Sequence, residues 1–463
     1  MIRSKVHLTF IFLFAATVLA CSASGKEPAD SSVAADYEIE DVRNLPQDIR
    51  AYTSSYPENY LGKICKDFFL SEFRSKYYSP WTSSNSTSDI SDSVATMKEF
   101  VQREWYGENR RMVPKIVLDE LLVNCDIEHL PSMRRLAIAT TATDLRVLPT
   151  TKPLFEKADD FPFDALQNTA LKLNEPIRVL HVSRDGLWVF VETAGANGWV
   201  RARDVGFIDK KLAGKWMKKA QIVIVRDFAL IRDKGGFVAQ KAKVGTICPI
   251  VGEGAGSYEI SVTINAGKHN ARVVKAKVPR ESARKFPLEF SRENIALIGN
   301  ELIGEPYGWG EMYQDRDCSS MLRDFYLPFG IWLPRGSLNQ INSGRSISLA
   351  GLSSSDKERL IKEKGVPFLT LVHLKGHIML YIGSMNGKAL IFQNTWGVNV
   401  REGNGGEFKQ VIGKSVVSTL TLGSELHLAG SSLLEKVDSM LVLDDRCGNL
   451  NRPHLMQKTN GQK

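Results

Sequence analysis

Residues 315–325 read DRDCSSMLRDF, a single cysteine placed directly after an acid at the mouth of an amphipathic stretch. Met321, Leu322, Phe325 and Tyr326 recur at helical spacing, which predicts a helix. Asp317, Ser319 and Ser320 suit its first turn, and Pro328 with Gly330 can end it. A thiol at a helix start faces unpaired N–H groups and the positive end of the dipole, and both favour thiolate over thiol. Free cysteine is also among the most buried residue types. Taken alone, then, the stretch reads first as a capped helix over a core cysteine, and its neighbours have to decide whether Cys318 is a nucleophile.

Working outward, SRENIALIGNELIG (291–304) predicts a helix ending at Gly304, and the loop EPYGWGEMYQDRD (305–317) leads to Cys318. Beyond a polar loop, VPFLTLVHL (366–374), GHIMLYIGS (376–384) and KALIFQNTWG (388–397) predict consecutive strands. Helices followed by a run of strands point to an α+β domain. A cysteine nucleophile needs a base within reach and a third group to orient that base. His377 opens its strand directly after Gly376, where a neighbouring chain can come close. His373 lies four residues earlier, but no intervening Glu of the H-E-x-x-H kind and no third ligand accompany the pair, so no metal site is expected.

These segments carry a resemblance. EPYGWGEMYQDRDCSSMLRDFYLPFGIWLPRGSLNQ (305–340), then GHIMLYIG, then IFQNTWG resembles the NlpC-type, papain-like cell-wall cysteine peptidases in order and spacing. The resemblance implies a papain-like α+β catalytic domain, with Cys318 as nucleophile and His377 as general base. Asp317, Ser319, Tyr307, Arg335 and Ser337 fall where the family contacts substrate. Asp317 could hold a substrate ammonium, and Tyr307 could donate to a developing oxyanion beside the Cys318 N–H. Many relatives place a second histidine where this chain has Gln393. A glutamine carbonyl can accept the imidazole N–H and hold the tautomer, but it lends the imidazolium no negative charge. Asn394 is the alternative third residue, although strand alternation turns it to the other face. The implied reaction is hydrolysis of the γ-D-glutamyl–diamino acid bond of peptidoglycan stem peptides, with no metal or organic cofactor. The rival reading is a non-catalytic peptidoglycan-binding lipoprotein that keeps the peptidase fold; an acyltransferase on the same fold comes third.

The rest of the chain divides by periodicity. YLGKICKDFFLSEF, ISDSVATMKEFVQREW and VPKIVLDELLVN predict helices across residues 37–130, with SPWTSSNSTSD as a polar loop and Pro131 as a boundary. From Arg134 the runs become short and β-rich: RRLAIATTATDLRVLPT, PIRVLHVSRDGLWVFVET and GWVRARDVGFID, then AQIVIVRDFALIRD, GTICPIVGE, YEISVTIN and ARVVKAKV. TTATDLRVL (140–148) matches VIVRDFALIRD (223–233), so the two sets read as a divergent repeat forming two small β-barrels, 131–210 and 211–288. Trp188 and Trp199 read as barrel core, and GEGAGS (252–257) as a turn. The resemblance extends here to a subgroup with two bacterial SH3-like domains ahead of the catalytic domain (289–445). It also implies that the loop FEKADDFPFD (155–164) contacts that domain. Residues 446–463 read as a tail.

The N-terminus carries Arg3 and Lys5 before an apolar run from Leu8 to Ala20, a secretory signal too short for a comfortable membrane span. VLAC (18–21) resembles a bacterial lipobox with Cys21 as the lipid attachment site, followed by a Ser/Ala/Gly-rich tether over 22–36. The expected location is the cell envelope or periplasm, membrane-anchored through that lipid, as a monomer whose partner is peptidoglycan. The net charge of +8 suits an anionic surface, and without an arginine-rich run or zinc-finger spacing nucleic acid is not an expected partner. There are six cysteines, none in a C-x-x-C pair. If Cys21 carries lipid, one free thiol is expected, and the remaining four allow three pairings.

Overall fold

The structure, a computed structural model, describes residues 39–83, 90–267, 269–401, 407–426 and 432–448. The predicted signal, Cys21, the tether and most of the C-terminal tail lie outside the described residues. Among the described residues no helix is long and apolar enough to cross a membrane.

The repeat seen in the sequence is a repeat of topology. In the first β unit the strands are β1 (Arg135–Ala139), β2 (Thr143–Arg146), β3 (Gln167–Leu171), β4 (Pro176–Val182), β5 (Trp188–Glu192), β6 (Asn197–Arg201) and β7 (Val205–Phe207). They form one sheet in the order β3-β2-β6-β5-β4-β1-β7. The second unit has β8 (Gln221–Ile224), β9 (Ala229–Arg232), β10 (Val238–Ala242), β11 (Ile247–Glu253), β12 (Ser257–Asn265), β13 (Ala271–Pro279) and β14 (Ala283–Lys285). Its order, β10-β9-β13-β12-β11-β8-β14, is the same arrangement strand for strand. TDLR and ALIR, the heart of the sequence match, are the second strand of each.

Neither sheet closes into the barrel that the sequence predicts. An open sheet leaves unpaired edges that must be covered. In the first unit neighbouring segments do this. The Gln167 Nε2 on β3 donates to the carbonyl of Gly310 in the catalytic domain, and the Thr169 hydroxyl to Glu311. At the far edge Phe207 bridges to Asn270 of the second unit. Trp199 and Trp188 are buried in the core shared by this unit and the helices.

The catalytic sheet is antiparallel, with β15 (Ile347–Ser348), β16 (Thr370–Leu374), β17 (His377–Met385), β18 (Lys388–Arg401), β19 (Glu407–Thr419) and β20 (Ser439–Val442) in the order β15-β20-β16-β17-β18-β19. The helix Cys318–Tyr326 packs Met321, Leu322 and Phe325 into one core with Ile378, Leu380 and Phe392. The N-terminal helices have no core of their own. Phe69 and Phe73, from the helix Lys63–Tyr77, join the catalytic core. Met97 and Phe100 of Ile90–Gln102 and Leu118 of Lys115–Cys125 pack with Trp199 of the first sheet. Ser79–Thr82, expected as loop, is a short helical turn.

Among the described residues one disulfide joins Cys65 to Cys447, and Cys125, Cys248 and Cys318 are free and buried. The expectation of a single free thiol is therefore corrected: Cys125 and Cys248 sit in separate cores and cannot meet. The disulfide, with the ion pair of Arg446 and Glu72, fastens the start of the predicted tail to the N-terminal helix.

Candidate active site

Cys318 is the first residue of its helix. Asp317 is the N-cap: its carboxylate accepts the Ser320 N–H at 2.8 Å, and the Ser320 hydroxyl accepts the Asp317 N–H at 2.8 Å, a complete capping box. Cys318 is only 7% exposed. Burial pushes its thiol up to about 12, and the neighbouring Asp317 carboxylate pushes the same way. The N–H groups of Ile378 and Ser319, with the Arg335 charge, oppose this without overcoming it. The helix start favours thiolate, and the burial of the site opposes it. The dipole is present, but burial and the Asp317 carboxylate push the thiol the other way.

The Ile378 N–H that acts on the Cys318 sulfur belongs to the residue after His377, so the start of β17 lies against Cys318. The His377 Nε2 is 2.7 Å from the Gln393 Oε1, and the Gln393 Nε2 donates to the Ser418 hydroxyl at 2.8 Å. With its amide nitrogen committed to Ser418, Gln393 presents its carbonyl to the imidazole. His377 then carries its proton on Nε2 and leaves Nδ1 as the basic atom. Burial lowers the His377 pKa from its ordinary 6.5, while the Gln393 hydrogen bond raises it in part. Asn394 faces the other way, paired in register with Ser415. Its Nδ2 donates to the Arg316 carbonyl at 2.8 Å, which pins the chain just ahead of Asp317.

Burial, with the charge of the neighbouring Asp317, raises the Tyr307 phenol, which remains a proton donor. Asp317 and Ser319, expected as substrate contacts, share one hydrogen-bond cluster with Arg335. Arg335 holds Asp317 through both oxygens at 2.9 and 2.8 Å and donates to the Ser319 hydroxyl at 2.6 Å. Gly310 and Ser319 donate to the same carboxylate. With this many donors Asp317 stays ionised, held well below the usual carboxylate range against its burial. These hydrogen bonds make Asp317 the cap that fixes the start of the Cys318 helix. The Arg335 Nε donates to Thr169 of the first sheet at 2.9 Å. Ser337 begins a short helix beyond Arg335 and shares none of the cluster's hydrogen bonds.

Several members escaped the sequence reading. Thr169, Glu311 and Ser418 are ordinary polar residues until the fold brings them in. The 155–164 loop does reach the catalytic domain: the Phe163 ring centroid is 5.2 Å from that of Trp309, 6.5 Å from Tyr307 and 6.4 Å from Trp396. These aromatics and His377 line a groove of about 540 Å³. Behind the site, Arg316, 1% exposed, bonds to Asp324 at 2.7 Å and, through both terminal nitrogens, to Asp227 of the second unit at 2.6 and 2.9 Å. Among the described residues no cluster of His, Cys, Asp and Glu could hold a metal ion.

Comparison with known proteins follows this division. Residues 304–416 match the NlpC/P60 family, residues 153–201 an SH3 domain of the SH3b1 type, and residues 7–130 the N-terminal NLPC_P60 stabilising domain. No curated protein sequence matches. Among solved structures, an NlpC/P60 endopeptidase from Photobacterium damselae subsp. piscicida superposes with a TM-score of 0.78 at 24% identity, covering 86% of this chain and 97% of that one. An NlpC/P60 family protein from Bacillus cereus covers 66% of this chain and 99% of its own, at 16% identity and a TM-score of 0.44. NlpC/P60 peptidases are cysteine peptidases acting on peptidoglycan. The cysteine, histidine and glutamine described above thus lie within the segment that matches the NlpC/P60 family, on one chain with segments matching an SH3 domain and that family's N-terminal stabilising domain.

Proposed function

We propose that this protein hydrolyses the γ-D-glutamyl–diamino acid bond of peptidoglycan stem peptides through a Cys318 thioester. The observation that carries the reading is the chain His377, Gln393 and Ser418 at the start of β17, in which the base has Nε2 occupied by Gln393, beside the Ile378 N–H that acts on the Cys318 sulfur. A buried thiol and a neutral imidazole are the stable resting pair, because a dry site penalises the separated charges. As the sulfur attacks the carbonyl carbon, its proton passes to His377 Nδ1 and the carbonyl oxygen becomes an oxyanion. The Cys318 N–H and the Tyr307 hydroxyl are the donors for that charge. The C–N bond then breaks, His377 returns the proton to the leaving amine, and a thioester remains. A water molecule activated by His377 releases the acid and restores the thiol. Arg335 and Asp317 hold the nucleophile's helix start during these steps, and Tyr307 with Phe163 walls the groove.

Export, with lipidation at Cys21 and residence in the cell envelope as a monomer, belongs to the same proposal and rests on the N-terminal sequence. The non-catalytic reading drew on Gln393, which is bonded to His377 as an orienting residue would be. Mass spectrometry of stem peptides and sacculi incubated with the protein and with Cys318→Ala separates the two. The expected result is a new D-glutamate carboxyl and a free diamino acid amine with the unaltered chain alone. Binding to wall without either product would replace the enzyme reading with the binding one.

A further inference from the structure

The groove at His377 has a second chemical character besides its aromatic wall. Lys375, Lys409 and Lys436 also line it, from the turn before β17, from β19 and from the helix Leu433–Lys436. All three are exposed. No salt bridge joins any of them to a carboxylate among the described residues. The Lys409 Nζ stands 5.3 Å over the Phe163 ring, so this cation is fixed at the wall of the groove rather than free in solvent. Glu435 is the acid among the lining residues. Three exposed ammonium groups lining one concave surface with a single carboxylate make that surface positive, and an anionic ligand is attracted to it.

The chemistry says which part of a substrate lies there. The general acid must touch the leaving nitrogen, so the fragment released as an amine occupies the groove at His377. In a stem peptide that fragment begins with the diamino acid and bears free carboxylates. We propose that Lys375, Lys409 and Lys436 form a carboxylate-recognising subsite on the leaving-group side, selecting stems whose diamino acid carries an unmodified carboxylate. This rests on the functional reading above and adds a specificity to it. Amidation of that carboxylate, or replacement of diaminopimelate by lysine, removes the charge the subsite would bind.

The test compares γ-D-glutamyl–diaminopimelate peptides with a free and an amidated side-chain carboxylate. Cleavage is followed with the unaltered chain, and affinity is measured by calorimetry with Cys318→Ala. A charge-assisted contact in a partly shielded groove supports about a tenfold preference for the free acid in KM and in Kd, shrinking at high salt. Lys409→Gln and the triple Lys→Gln variant should bring the ratio of the two peptides toward 1, with kcat for the free acid less affected than KM. Equal affinity of Cys318→Ala for both peptides, or a preference that survives the triple substitution, overturns the subsite. Absent cleavage alongside lysine-dependent preference in binding would overturn the enzyme reading while supporting the subsite.

Discussion

The two β units share a strand order, yet only one of them shapes the groove. The difference lies in a single connection. Between β9 and β10 the chain turns over Asp233–Phe237, whereas between β2 and β3 it runs from Val147 to Leu166. The longer connection is anchored by Asp164, which is buried, bonded to Arg146 at 2.6 Å, and accepts the N–H groups of Leu154 and Leu166. That anchor lets Phe161 and Phe163 project onto Trp396 of the catalytic domain. The second unit contacts the catalytic domain from behind instead, with Asp227 and Lys243 on the Arg316 side. A duplicated scaffold thus does two jobs: one copy walls the site by a loop, and the other steadies it by buried charge.

The comparison predicts rate effects from one copy and stability effects from the other, and the catalytic chain sets the scale for both. Gln393→Ala should lower kcat on the order of 10²–10⁴-fold with the fold intact, the range that general-base assistance supplies. Because the Gln393 hydrogen bond raises the His377 pKa, its loss should also move the acid limb of kcat/KM to lower pH. A pH–rate profile with an unmoved or raised acid limb would show that Gln393 does not orient the base. Gln393→His should keep activity, since a neutral imidazole can also accept the N–H.

Next in size, Asp227→Ala should cost about 3 kcal/mol, because it leaves part of the buried Arg316 charge unpaired. Burial alone would raise the Asp227 pKa, but Arg316 pulls it below the ordinary carboxylate value of 3.8. Its contribution is therefore present above that value and is lost as pH falls through the acidic range. Urea unfolding at neutral pH and at pH ~3 should show the gap between variant and parent shrinking in acid. A constant gap would mean that the network is held by packing and not by charge.

Smaller still, Phe163→Ala should raise KM roughly tenfold with little change in unfolding, the loss of an aromatic wall of about 1.4 kcal/mol. A loss in kcat with KM unchanged would place Phe163 against the reacting atoms instead of along the groove. The smallest effect belongs to Phe237→Ser at the short turn of the second unit, where the side chain is 75% exposed. Stability should move by under about 0.5 kcal/mol and turnover should not change. A measurable fall in turnover would break the division of labour between the two copies.

Local chemistry made much of this protein legible from its sequence. The helix start at Asp317–Cys318, the strands bearing His377 and Gln393, the opposite facing of Asn394 and the duplicated strand pattern follow from periodicity, capping residues and pleat, all set by near neighbours. Tertiary structure decided what depends on residues far apart in the chain. Burial set itself against the thiolate that the helix start of Cys318 favours. Arg335, with Thr169 behind it, bonded the Asp317 carboxylate. The β units stayed open sheets, and in the first of them other segments cover the edges that a barrel would pair. Cys65 met Cys447 because the N-terminal helix packs on the catalytic core. Each outcome turns on how much water and which partner a group retains after folding, and a linear sequence records neither.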